Sequence, residues 1–281
     1  FNLAFLALFD PGDKVAITRP GYPAYRNVLK ALGIEAVEIE TSQAAGATLA
    51  ADDLRAAHSK GPLKGVLFAS PANPTGAVIA QGELKRIVET ARELGITVIS
   101  DEIYHRLSYD RPDITALSFG DEVTVINSFS KYYCMTGWRI GWMVLPPDMT
   151  RPVERLAQSL YISAPELSQI AAVEAFGATS ELEVVKDRYR RSRALLVQRL
   201  PEIGMRLAAP MAGAFYAYCD VSRYSNDSME FASRMISEAN VAATPGVDFD
   251  PAGGDRFMRF SYAGSPEEMS EAMDRLARWL A

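Results

Sequence analysis

Apolar positions along this chain fall into short blocks whose period changes from about 3.6 residues to about two and back, the signature of alternating helices and strands. Asn2–Phe9 reads as a helix stopped by the turn Asp10-Pro11-Gly12-Asp13. Val15–Thr18 is a short strand before the turn Arg19-Pro20-Gly21-Tyr22-Pro23. Ala24–Leu32 is helical and ends at Gly33, and Ala36–Glu40 is a strand. Gly65–Ala69 is an apolar strand running into the loop Ser70-Pro71-Ala72-Asn73-Pro74-Thr75-Gly76. Gln81–Leu94 has helical periodicity with Gly95 as its stop signal, and Thr97–Ser100 is a strand leading into Asp101. Val123–Asn127 and Ile140–Leu145 are two further strands. Strands separated by helices of ~10–15 residues imply crossover connections and a mainly parallel sheet of the α/β class.

The second half changes character. Pro152–Leu160, Pro165–Phe176 and Ser180–Leu200 are helical stretches, the last rich in arginine (188, 190, 191, 193 and 199) and read as a solvated face. Shorter strands follow at Phe215–Asp220 and Arg256–Tyr262, with helices at Ser228–Ala239 and Pro266–Leu280. This α+β pattern places a domain boundary inside the long helix, giving a large domain over 1–190 and a small one over 191–281. In the first helix Phe1, Phe5 and Phe9 recur at i, i+4 and i+8, an apolar stripe expected to stand exposed. The chain opens on Phe1 without a capping signal and reads as part of a longer sequence.

Composition narrows the function classes. With 281 residues and 48% apolar content the chain buries a sizeable core without staples. A formal net charge of −6 argues against a nucleic-acid partner, whose phosphates require a basic face. Two cysteines and two histidines make neither a disulfide framework nor a metal cluster. The opening apolar run Leu3–Phe9 falls far short of the ~20 residues of a membrane span. No basic segment precedes it, so it is not a convincing signal peptide, and a cytoplasmic location is the expectation.

Four predicted strand ends carry chemistry. Lys131 follows a strand within Ser128-Phe129-Ser130-Lys131, ahead of Gly137-Trp138-Arg139-Ile140-Gly141. A lysine beyond the carboxyl end of a strand is placed to form a Schiff base, and Ser128, Ser130 and Arg139 offer two hydroxyls and a planar cation to a phosphate. Asp101 ends another strand, where a buried carboxylate needs a cation or several donors, and Tyr104 lies three residues on. Pro74 biases Asn73 towards an extended conformation that can project its amide, and Tyr22 offers a flat face for stacking. Each has an ordinary structural explanation by itself: a strand-end cap, a plain loop, a turn aromatic. Together they supply what a phosphorylated pyridine aldehyde requires.

These motifs resemble the class I/II aminotransferases, the fold-type-I pyridoxal-phosphate enzymes, from Asp-Pro-Gly-Asp (10–13) to the terminal helix. Ser-Phe-Ser-Lys with Gly-Trp-Arg-Ile-Gly is the most specific segment, supported by Ser-Pro-Ala-Asn-Pro-Thr-Gly (70–76) and Ser-Asp-Glu-Ile-Tyr (100–104). The resemblance implies a mostly parallel seven-stranded sheet sandwiched by helices, with Ile140–Leu145 antiparallel, and a smaller C-terminal α+β domain. It implies pyridoxal 5'-phosphate as cofactor, with Lys131 as the imine-forming lysine and Asp101 on the pyridine nitrogen. Asn73 and Tyr104 would bind the 3'-oxygen, Tyr22 would stack on the ring, and Ser128, Ser130 and Arg139 would hold the phosphate. In Phe257-Met258-Arg259-Phe260-Ser261-Tyr262 it assigns Arg259 to the substrate α-carboxylate, with Arg256 as the weaker candidate.

The function implied is ping-pong transfer of an amino group between an L-amino acid and a 2-oxo acid, by a homodimer. The family carries a further N-terminal segment of lid strand, dimer-crossing tyrosine and phosphate loop, so the sequence reads as N-terminally truncated. A carbon–sulfur β-lyase and the ligand-sensing domain of a transcriptional regulator share the fold and stand as alternatives. Pyruvate release without an added keto acid would mark the first, and an upstream winged helix the second.

Overall fold

The structure, a computed structural model, describes residues 1–41 and 46–281. Its first sheet contains β1 (Lys14–Arg19), β2 (Glu35–Glu40), β3 (Gly65–Ala69), β4 (Thr97–Asp101), β5 (Thr124–Ser128) and β6 (Gly141–Val144), in the order β2-β1-β3-β4-β5-β6. The first five are parallel, and β6 is the antiparallel edge expected for the 140–145 segment. The sheet is therefore six-stranded among the described residues, not seven-stranded. The hydrophobic pattern itself marks six strands; the seventh came from the resemblance alone.

Alternation along the strands sorts the helices onto two faces. Val15, Ile17, Leu67 and Ile99 pack with Phe5 of α1 (Asn2–Leu8) and Tyr25 and Leu29 of α2 (Pro23–Ala31). Ala16, Val66, Phe68, Val98 and Val125 pack with Leu54 of α3 (Ala51–Lys60) and Leu84 and Ile87 of α4 (Gln81–Leu94). Gly95 closes α4 at φ +66°, a left-handed conformation for which glycine carries no Cβ penalty. The aromatic stripe of α1 is not exposed as the sequence suggested. Phe5 and Phe9 are buried against the sheet, because α1 lies across its face. The periodicity did not mark α3, which buries only Ala51 and Leu54.

The next helices are α5 (Pro147–Leu160), α6 (Glu166–Ala175) and α7 (Thr179–Glu202). The sequence reading started α5 at Pro152, taking that proline for the first helical residue. Pro147 occupies that position, where a missing N–H costs nothing, and Pro152 lies inside the helix. A second, antiparallel sheet, β7-β8-β10-β9, is formed by β7 (Arg206–Leu207), β8 (Tyr216–Asp220), β9 (Thr244–Pro245) and β10 (Phe257–Ser261). Its core draws Leu196 and Leu200 from α7, Phe231 and Met235 from α8 (Ser228–Ala239), and Met273 and Leu276 from α9 (Pro266–Leu280).

The arginines of α7 are only partly a solvated face. Arg190 and Arg191 pair with Asp187 along the helix, but Arg193 reaches Asp110 at 2.7 Å and Arg199 reaches Asp274 at 2.8 Å. No helix among the described residues is long and apolar enough to cross a membrane.

Candidate active site

Strand order reverses direction between β1 and β3, and in open parallel sheets ligands bind beyond the carboxyl ends of the strands at such a switch point. The loops leaving β1 and β3 carry Tyr22 and Asn73, and β4 and β5 end at Asp101 and Ser128. Close approach starts at Gly21, where a Cβ would lie 2.3 Å from the Thr18 carbonyl oxygen. Tyr22 then stands at the N-cap of α2, 41% exposed, with its ring edge-on to Tyr25 at 5.4 Å.

Asp101 is buried at the tip of β4. Its Oδ1 accepts from the Ile103 N–H at 3.1 Å, and its Oδ2 accepts from the Tyr25 hydroxyl. Burial raises its pKa to about 6, against the opposing pull of those two donors. Glu102 beside it is also buried, and its carboxylate is fully engaged: Oε1 accepts from Ser100 Oγ, Thr115 Oγ1 and the Ala116 N–H. His105 lies 3.3 Å from its other oxygen.

Lys131 follows β5 and is half-buried, with Nζ 5.8 Å from the ring centres of both Tyr104 and Phe215. Burial lowers its pKa, and the charges of Arg259 and Arg139 lower it further against the opposing Asp101. An amine so placed loses its proton more readily, as a nucleophile or base requires. Ser128 Oγ donates to Ser130 Oγ at 2.9 Å and accepts from the Ser130 N–H at 3.0 Å. Arg139 is exposed and donates from Nη1 to the Thr136 carbonyl at 2.9 Å, its one hydrogen bond among the described residues.

The second sheet contributes Arg259 from β10. Its Nη1 donates to Asn73 Oδ1 at 2.8 Å and its Nη2 to Thr244 Oγ1 at 3.1 Å. Its guanidinium lies 4.3 Å from the Tyr216 ring centre and 4.7 Å from that of Phe249. Asn73 is buried in the turn closed by the Gly76 N–H on the Ala72 carbonyl. With Oδ1 taken by Arg259, its side-chain N–H groups remain as donors. Tyr104 is buried and its hydroxyl lies 2.8 Å from that of Tyr216.

The expected residues are thus gathered at one end of the sheet, with one exception. Arg256 is exposed against Phe257 and borders the cleft lined by Arg206 and Asp220, away from Asn73. Sequence reasoning missed Tyr25, Tyr216, Thr244 and Phe249. Tyr25 had a signal: it follows Tyr22 by three positions at a helix start, which puts both on one face.

The profile of the family "Aminotransferase class I and II" matches residues 1–276. The chain belongs to that family. It is 45% identical over 284 aligned residues to the valine–pyruvate aminotransferase of Mycobacterium tuberculosis, covering 100% of this chain and 73% of the relative. The crystal structure of an aminotransferase from Mycobacterium tuberculosis superposes with a TM-score of 0.96 at 46% identity, over 99% of this chain and 73% of that one. The aspartate aminotransferase of Thermus thermophilus with maleate gives 0.92 at 33% identity, over 99% and 72%. Relatives named aminotransferases favour amino-group transfer over the lyase and the sensor domain. An aminotransferase of this family acts on amino and keto acids, and the carboxylate common to both matches a fork like that of Arg259.

Proposed function

We propose that the chain transfers amino groups between an L-amino acid and a 2-oxo acid by a ping-pong cycle, with pyridoxal 5'-phosphate held by the residues gathered above. The observation that carries this reading is the clustering of these groups from two sheets: Asp101 is held by Tyr25, Lys131 Nζ lies 5.8 Å from the Tyr104 ring centre, and Tyr104 meets Tyr216, whose ring centre is 4.3 Å from the Arg259 guanidinium. The donor set fits the cofactor. A buried carboxylate with a pKa of about 6 suits a cationic ring N–H, which would draw it back into its ionised form. Two hydroxyls and an exposed guanidinium at Ser128, Ser130 and Arg139 suit a phosphate.

When bound, the cofactor supplies an aldehyde and an electron-withdrawing ring. Lys131 would hold that aldehyde and, once displaced by the incoming substrate amine, its freed amine would take and return the proton at the substrate α-carbon. Asp101 would hold the proton on the ring nitrogen, with its carboxylate oriented by the Tyr25 hydroxyl. Asn73 and Tyr104 would donate to the ring oxygen, and Tyr22 would offer its face to the ring. Arg259 grips the substrate carboxylate with N–H groups not used on Asn73 and Thr244, and so orients the α-C–H bond.

The relative named for valine and pyruvate makes these the first donor and acceptor to test. Incubating the cofactor-loaded chain with valine should shift the cofactor absorbance, and pyruvate should restore it. Pyruvate formation from cysteine conjugates with no keto acid added would instead support the lyase.

The assembly proposed is a cytoplasmic homodimer. The exposed run Leu160, Tyr161, Ile162, Leu167, Ile170 and Val173 along α5 and α6 supports a second copy as its cover, which light scattering would measure. The division into 1–190 and 191–281 is supported by the separate cores of the two sheets.

A further inference from the structure

The roles above leave Tyr216 without a task, yet it stands between two of the residues that have one. It opens β8 and is only 6% exposed. Its hydroxyl is 2.8 Å from that of Tyr104, and the Arg259 guanidinium sits 4.3 Å from its ring centre. Burial raises the pKa of both phenols, so each keeps its proton near neutral pH. A phenol has one proton to give. If Tyr104 gives its proton to the cofactor ring oxygen, its own oxygen becomes an acceptor, and Tyr216 is the donor in the contact between them. Aligned donors polarise one another, so the second hydroxyl strengthens the first.

We propose that Tyr216 is a positioning residue that couples the two ends of the site. Its hydroxyl strengthens the donation of Tyr104 to the ring oxygen, and its ring seats Arg259 for the substrate carboxylate. The inference rests on the cofactor reading above and extends it to a residue without an assigned role. The two contributions are separable, because phenylalanine keeps the ring and loses the hydroxyl.

The direction of the effect follows from charge. A donor on the ring oxygen favours the form in which that oxygen bears its charge alone, not shared with a proton on the Lys131 nitrogen. Weakening the donor therefore raises the pH at which that proton leaves.

The test is a pH titration of the cofactor absorbance in the loaded chain. Tyr216→Phe should raise the midpoint by about half a unit. In a Tyr104→Phe background the same change should add nothing, since Tyr216 acts through Tyr104. Tyr216→Leu should also raise KM for the amino donor several-fold, whereas Tyr216→Phe should not. An unshifted midpoint in Tyr216→Phe, or an equal shift in both backgrounds, overturns the inference. Borohydride trapping of the wild-type chain separates the two readings. An adduct on Lys131 with no shift in Tyr216→Phe overturns this inference alone, and no adduct on Lys131 overturns the cofactor reading with it.

Discussion

Arg259 donates from Nη1 to Oδ1 of Asn73 across 2.8 Å, and so ties a strand of the second sheet to the loop that leaves β3. One contact joins the residue proposed for the substrate carboxylate to one proposed for the cofactor. Thr244 holds the other arm of the fork, which fixes the plane of the guanidinium.

Arg259→Lys is expected to raise KM for all amino donors together. Lysine offers a point charge in place of a planar fork and cannot hold Asn73 and Thr244 at once. Loss of one charge-assisted hydrogen bond, ~1.5–3 kcal/mol, corresponds to roughly 10- to 100-fold in KM. Steady-state kinetics across several donors checks this. A loss confined to dicarboxylic donors would move Arg259 onto the side-chain carboxylate.

Borohydride reduction of the loaded chain, followed by peptide mapping, is expected to label Lys131. It is half-buried with a lowered pKa, whereas Lys64 is exposed and Lys85 is exposed and lies 3.6 Å from Glu89. A label on either of those would displace Lys131 from its role.

Asp101→Asn is expected to impair turnover while stabilising the cofactor-free chain at alkaline pH. The Asp101 pKa is raised from 3.8 to about 6, so the folded state binds a proton that the unfolded state has already released. Folding stability then falls as pH rises from about 4 to about 6, by at most ~3 kcal/mol for about two units. Asparagine removes that dependence, so the Tm advantage of the variant should appear at pH 8 and vanish near pH 4. A difference in Tm that stays constant across this range would contradict the burial argument.

Glu102→Ala is expected to cost about 3 kcal/mol of stability in urea unfolding. The substitution strips the acceptor from two hydroxyls and the buried Ala116 N–H. A loss under 1 kcal/mol would mean that water replaces the carboxylate there.

The fold was legible wherever burial imposes a period on the sequence. Val15 and Ile17 face one layer and Ala16 the other, and that alternation alone locates β1. One end was misread and one helix missed, both for local reasons: Pro152 imitates a helix start, and α3 buries too few residues to show a stripe. The site divides in the same way. Residues at or shortly after a strand end, such as Asp101 and Lys131, could be proposed from position and type. Tyr25 and Tyr216 hydrogen-bond to partners 76 and 112 positions away, a relation that no local spacing encodes.

The 24-residue α7 runs unbroken from the cluster in which Leu182 packs with Tyr104 and Tyr132 to the core of the second sheet, which takes Leu196 and Leu200. At about 1.5 Å per residue it is a rod of ~36 Å. The proposed boundary at residue 190 therefore crosses continuous hydrogen-bonded backbone. Any swing of the second sheet over a bound substrate must twist or tilt this shaft as a whole, and so carries the displacement to the end beside Tyr104. The sheet that carries Arg259 and the cluster that holds Tyr104 are thereby mechanically joined through one helix.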